Sequence, residues 1–205
     1  MNKNYEKIVS LVCNTLVEAG STFREDKKKA YKRAIASEDN EKAKWVLETV
    51  LANVEAAEKN HSPLCDDTGI PHIVLEIGPD AAVTGRMLDA IREGIAKGLR
   101  KLPGRPMGIM GDDCRRIDQS GGLNPDSAGV EPAPILIRRC QDNVIRLHIL
   151  MFGGGPAIRA KTYRVFHKHN MQVVLDEIVN WATEGVAQLG CSPCTLAVGV
   201  GRSHF

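Results

Sequence analysis

The chain has 205 residues, of which 43% are hydrophobic, 25% charged and only 4% aromatic, with a formal net charge of +2. That length buries a sizeable core in one domain, which aliphatic side chains must fill. Near-neutral charge and few aromatics exclude a basic, base-stacking nucleic-acid surface. Taken in chain order, Ile8, Leu11, Val12 and Leu16 recur at helical spacing before Gly20, so residues 4–19 are predicted as an amphipathic helix. The opening residues contain no run long and apolar enough for a signal peptide or membrane span, which predicts a cytoplasmic protein. "REDKKKAYKR" at 24–33 mixes acids with its bases and reads as a solvated helix face.

Asn40 is a candidate N-cap for a third helix over 41–60, with Val46, Val50 and Val54 as its apolar stripe. The character changes at Pro63. "HIVLEIG", bounded by Pro71 and Gly78, predicts a strand, and Thr84 to Lys101 a helix that Pro103 and Gly104 end. Residues 103–132 are rich in Gly, Pro, Asp and Ser and predict a long irregular loop. "APILIRRC" and "NVIRLHILM", separated by Gln141 and Asp142, predict two strands that can pair as a hairpin. Val174, Ile178, Trp181 and Leu189 mark a last helix up to Gly190, and "CSPCTLAVGVG" predicts a turn followed by a strand. The expected fold is α/β in the mixed α+β sense. A helical N-terminal region, 1–60, packs on a mixed-sheet core flanked by helices, 61–205, within one domain. The ending "GVGRSHF", directly after a glycine-rich strand, reads as a cut within a larger protein.

Three motifs carry chemistry. In "CDDTG", Cys65 can present a thiolate to a metal or cluster, and Asp66 or Asp67 can donate or accept a proton; the alternative is a polar turn around an ordinary buried cysteine. Gly153, Gly154 and Gly155 follow a predicted strand and precede a helix with Pro156 in its first turn. Bare backbone there admits an anion to the N–H groups, or simply makes a tight turn, since no complete Walker or dinucleotide signature surrounds it. Cys191-Ser-Pro-Cys194 invites zinc or redox chemistry, but no second such pair follows, and His167 and His169 are two apart, on different faces of a helix. The six cysteines are widely spaced and argue against a disulfide framework.

In this order the motifs resemble the N-terminal, alpha-subunit domain of iron–sulfur hydro-lyases, the class I fumarate hydratase and L-tartrate dehydratase family. The resemblance covers nearly the whole chain. It rests on "CDDTG" for that family's Cys-Gln-Asp-Thr-Gly, "GGGP" for its Lys-Gly-Gly-Gly-Ser, and "CSPCTLAVGVG" for its Cys-Pro-Pro and glycine-rich strand. What it implies is a 4Fe-4S cluster held by three thiolates, with one open iron acting as a Lewis acid on a substrate hydroxyl. Cys65 and Cys191 match two ligands; the family's third lies beyond this chain, and Cys194 is the best substitute within it. The matching also implies Asp67 as the acid/base group, Asp66 and Lys97 as substrate contacts, and the amides of Gly153, Gly154 and Gly155 as the holder of a substrate carboxylate.

The resemblance further implies an alpha-type subunit or domain that adds or removes water on a small hydroxy acid. A beta subunit or C-terminal catalytic domain would complete it in an oligomer, with neither nucleic acid nor membrane as partner. Three departures stand out: Asp66 replaces glutamine, Phe152 replaces lysine, and Pro156, Ala157 and Ile158 replace a polar run. An added negative charge and a lost positive one disfavour an unmodified dicarboxylate such as fumarate and leave the substrate open; a family member with drifted specificity, for tartrate or another hydroxy acid, is the rival among enzymes. A zinc-binding or non-catalytic module is the rival from another class.

Overall fold

A computed structural model describes residues 3–67, 69–102, 104–105 and 108–201. Thr68 of the "CDDTG" motif, the predicted helix stop at Pro103 and the last four residues lie outside them. The elements run α1 (Lys3–Ser21), α2 (Glu25–Ser37), α3 (Glu41–Asn60), β1 (Ile70–Ile77), α4 (Gly85–Lys101), α5 (Asp113–Asp118), β2 (Leu136–Arg139), β3 (Ile145–Phe152), α6 (Gly154–Arg159) and α7 (Met171–Ala187). A single 3-10 turn, Ser127–Gly129, sits in the long loop. The fold is α/β, with the three predicted N-terminal helices all present. Among the described residues no helix is long and apolar enough to cross a membrane.

Local sequence sets the helix starts. Asn40 Oδ1 accepts the N–H groups of Lys42 and Ala43 at 3.0 and 3.1 Å, and Thr84 Oγ1 accepts that of Met87 at 3.3 Å, as capping residues do. The main packing event joins α1 to α4. Val12 and Leu16 of α1 meet Ile91, Ile95 and Leu99 of α4 in one buried cluster. The two backbones come close because Gly94 and Gly98 face α1. A Cβ on Gly94 would stand 2.6 Å from Val12 Cβ, and one on Gly98 3.0 Å from Leu16 Cβ.

This helix pair covers one face of a three-stranded sheet in the order β2-β1-β3. β1 runs parallel to β2, with Val74 opposite Leu136, and antiparallel to β3, with Val74 opposite His148. Alternation along β1 sends Ile73 and Leu75 into the core with Val130 and Leu102. The other face carries Glu76, Arg146, His148 and Leu150, and Leu150 is 60% exposed.

Four expectations are corrected. β2 and β3 are not a hairpin: β1, the most buried strand, lies between them. Gln141-Asp142 lacks the residues a two-residue reversal requires. The connection instead wraps the end of β1, with the Cys140 N–H donating to the Ile77 carbonyl and the Gly78 N–H to that of Val144, at 3.1 and 2.8 Å. In α3 the buried residues are Val54 and Ala57, while Val46 is exposed, because only the last turns reach the core. The helix after the glycines stops at Arg159. His167 and His169 therefore lie in a turn, where Lys168 and His169 have positive φ and the His169 N–H donates to His167 Nδ1. Residues 191–201 form no strand: Leu196, Val198 and Val200 alternate as a strand would, but an alternating run needs a partner edge, and none of the described residues pairs with it.

Candidate active site

The antiparallel register places the site. Ile70, the first residue of β1, pairs with Phe152, the last of β3, so the turn entering β1 and the glycines leaving β3 must lie side by side. Gly69 makes that contact possible. Its φ is +83°, and a Cβ there would stand 2.5 Å from the Phe152 carbonyl and 2.6 Å from the Gly153 nitrogen. Only glycine meets both demands.

Upstream, the turn is anchored to the helical region. The Leu64 N–H donates to the Gly20 carbonyl at 3.0 Å, and Asn53 Nδ2 donates to the Leu64 carbonyl at 3.0 Å. Cys65 follows, exposed and unbridged. Asp66 also points to solvent, its carbonyl accepting the Arg105 N–H at 3.1 Å and its carboxylate 3.8 Å from Arg105 Nε.

Asp67 turns inward. Its Oδ2 accepts the N–H of Gly154 at 2.7 Å and that of Gly155 at 3.3 Å. Its Oδ1 is buried and without a partner. A Cβ on Gly153 would stand 3.2 Å from Oδ2, whereas one on Gly155 would meet nothing within 4 Å. The glycine amides thus grip the chain's own carboxylate in the way they would grip a ligand's. His72 and Phe152, in edge-to-face contact at 5.4 Å, stand at the same end of the sheet.

The structure therefore brings Asp67 together with Gly153, Gly154 and Gly155, with Asp66 and Cys65 on the rim. The ion pair of Lys97 is made within α4. Lys97 Nζ lies 2.7 Å from Glu93 Oε1, while the Tyr5 hydroxyl donates to the other oxygen of Glu93 at 2.8 Å. The Lys97 ammonium is held above its ordinary pKa by that bond, and Glu93 is held below the usual carboxylate range by Lys97 and Tyr5.

Cys191 and Cys194 are exposed and unbridged, like Cys65. Both lie within electrostatic range of the buried Tyr31 hydroxyl on α2, whose pKa burial pushes up, with the two thiols adding to the effect. Among the described residues no three His, Cys, Asp or Glu side chains converge to hold a metal ion. Cys65, Cys191 and Cys194 are accessible thiols of the kind that ligate iron, and the described residues alone do not make up a complete ligand set.

Two residues here went unread in the sequence. Arg105 sits beside Asp66 and offsets the charge that replaces the family's glutamine. Arg159 closes α6, with Nη2 donating to the Gln188 carbonyl at 3.4 Å and Nε buried without a partner. Arg159 had a faint signal, as a basic residue one turn beyond a glycine-led helix start.

A short strand-to-helix glycine turn thus holds the carboxylate of Asp67, two residues after an exposed thiol. The chain belongs to the fumarate hydratase (Fumerase) family, whose model matches residues 9–205. It is 27% identical over 198 residues to a protein of Methanocaldococcus jannaschii named as an L(+)-tartrate dehydratase subunit alpha, covering 95% of this chain and 66% of that one. It is 24% identical over 156 residues to a protein of Geobacillus stearothermophilus named as a class I fumarate hydratase, covering 76% of this chain and 28% of that one. The chain thus spans less than two thirds of the length of either relative.

Proposed function

We propose that this chain is the alpha-type part of a hydro-lyase that adds or removes water on a small hydroxy acid. A beta subunit or C-terminal catalytic region completes it. The observation that carries this reading is the Asp67 carboxylate held by the amides of Gly154 and Gly155. Family membership and the names of the two relatives support it.

Dehydration of a hydroxy acid removes a proton from carbon, delivers one to the hydroxyl oxygen and leaves an alkene and water. Asp67 is assigned the hydroxyl side. Oδ2 is committed to the glycine amides, so Oδ1, which has no partner, is the oxygen that carries the proton. The carbon-side base comes from outside these 205 residues. When a substrate carboxylate enters it displaces Asp67 Oδ2 from these amides, since an N–H pair at the start of a helix suits any carboxylate, and the freed Asp67 carboxyl faces the substrate hydroxyl. Asp66 and Arg105 on the rim then help set which hydroxy acid is accepted.

The reading assigns Cys65 and Cys191 to a 4Fe-4S cluster whose third ligand comes from the completing region, with Cys194 as the substitute inside this chain. A bound cluster would supply the Lewis acidity that makes hydroxide a leaving group. Six unbridged cysteines suit the reducing cytoplasm to which the reading assigns the protein.

The test is anaerobic purification of the protein together with its completing region, followed by iron and acid-labile sulfide analysis and assay on tartrate, malate and fumarate. Iron, sulfide and turnover of at least one hydroxy acid are expected. A colourless preparation that binds zinc and turns over none of them overturns the proposal.

A further inference from the structure

Among the described residues, the two buried side-chain polar atoms without a partner are Asp67 Oδ1 and Arg159 Nε. Buried polar atoms in native proteins are paired as a rule, so each exception calls for a reason. These two residues bond at opposite ends of one helix. α6 spans only Gly154–Arg159, about 8 Å at 1.5 Å per residue. Its first amides hold Asp67, two positions after Cys65. From its last residue, Arg159 Nη2 holds the carbonyl of Gln188, three positions before Cys191.

The turn that carries Cys191 has few other restraints. Among the described residues α7, which leads into it, has no buried residue; Tyr163 stacks on Trp181 at 3.7 Å, and Cys191 and Cys194 lie within electrostatic range of the buried Tyr31. A guanidinium reaches a backbone carbonyl with directed, charge-assisted N–H bonds that an exposed loop would otherwise make to water. Holding it there leaves Nε buried and unspent, a cost the fold accepts only where the arginine's placement matters.

We propose that Arg159 is a positioning residue: through α6 it fixes the turn bearing Cys191 relative to the turn bearing Cys65. The proposal rests on the reading that those two thiols act together, but its test needs no cluster. Arg159→Gln loses the reach to Gln188, and Arg159→Lys keeps a long cationic donor. Both would be compared with the unaltered chain by hydrogen exchange and by the rate of Cys191 alkylation with iodoacetamide, resolved by mass spectrometry.

In Arg159→Gln, exchange over 186–194 should quicken about threefold to tenfold, the worth of one such bond, while alkylation of the already exposed Cys191 should change little. Peptides from α1 and α4 and the melting temperature should stay unchanged, and Arg159→Lys should restore at least half of the protection. Unchanged exchange over 186–194 overturns the proposal. So does a rise spread evenly over all peptides with a lowered melting temperature, since Arg159 would then serve the fold at large. Absence of iron from the completed protein would fail the cluster assignment alone, and the exchange result would still decide the role of Arg159.

Discussion

Asp67 and Gly154, 87 positions apart, are joined by a 2.7 Å hydrogen bond from the glycine N–H to the aspartate Oδ2. This bond makes two sequence motifs one site, and it separates the two carboxylate oxygens into a held one and an unpartnered one.

Asp67→Asn keeps an oxygen for the glycine amides and removes the carboxyl assigned to deliver the proton. Turnover of the completed protein on its hydroxy acid should fall by roughly two to four orders of magnitude, the usual worth of general acid–base catalysis. Far-ultraviolet circular dichroism should not change. Near-normal turnover would show that Asp67 is only a turn residue. Asp66→Gln, at the exposed rim, should be milder and shift substrate preference.

The three neighbouring glycine positions should separate sharply in stability. Gly69→Ala puts a Cβ against the Phe152 carbonyl at a φ of +83°, and should cost about 1–3 kcal/mol or more in denaturant unfolding. Gly155→Ala meets no atom within 4 Å and lies inside a helix, so its effect should be neutral to slightly stabilising. Gly153→Ala, whose Cβ would lie 3.2 Å from Asp67 Oδ2, should disturb the carboxylate more than the fold and raise KM. Equal losses at all three would mean that the loop matters only as a turn.

The helical corner beside the Cys65 turn predicts a pH dependence. Lys28 Nζ lies 2.9 Å from Glu58 Oε2, and the Phe23 N–H donates to Oε1 at 3.1 Å. The Lys28 bond, with the Phe23 amide, holds Glu58 below the usual carboxylate range, and Glu58 in turn raises Lys28. A depressed carboxylate contributes stability that is fully present above its unfolded value, about 4.3, and is lost as pH falls through the lower folded one. The raised lysine contributes stability below its unfolded value and loses it as pH rises through the folded one. Glu58→Gln should therefore lower the melting temperature at pH 7 and flatten the decline below about pH 4.3. Parallel melting curves for both proteins down to pH 3 would contradict this.

The sequence was legible where local chemistry decides the outcome. Asn40 and Thr84 cap the helices that their positions predict, and the alternation of "HIVLEIG" gives β1. Strand order was not legible, because nothing in Gln141 or Asp142 says that β1 will intervene between β2 and β3. The close contact of α1 and α4 was equally hidden, since Gly94 and Gly98 read as weak helix residues until their partner is known. In the site, Cys65, Asp67 and the glycines were legible as motifs, whereas Lys97 was read by family matching and its position follows from the Glu93 pair on α4. Arg105 meets Asp66 through its backbone N–H and side chain, which leaves no spacing to read, and Arg159 reaches the Gln188 carbonyl with only its place after a glycine-led helix start to hint at it.

Stability should be concentrated in the first half of the chain. Leu16 is fully buried between α4 and the sheet, while Leu175 and Val179 on α7 are 44% and 61% exposed and α7 buries no residue. Deleting buried methylenes removes transfer free energy and leaves a cavity, so Leu16→Ala should cost about 2–5 kcal/mol. Leu175→Ala in the same chain removes surface that water already reaches and should change stability by no more than about 0.5 kcal/mol. The two effects part again when the completing region is added. If that region covers α7 and the alternating Leu196, Val198 and Val200, Leu175→Ala should then weaken assembly while Leu16→Ala acts as before. Urea unfolding of the chain alone, set beside titration of the partner into each variant, measures both. A Leu175→Ala loss matching that of Leu16→Ala in the isolated chain would show that α7 belongs to the core after all.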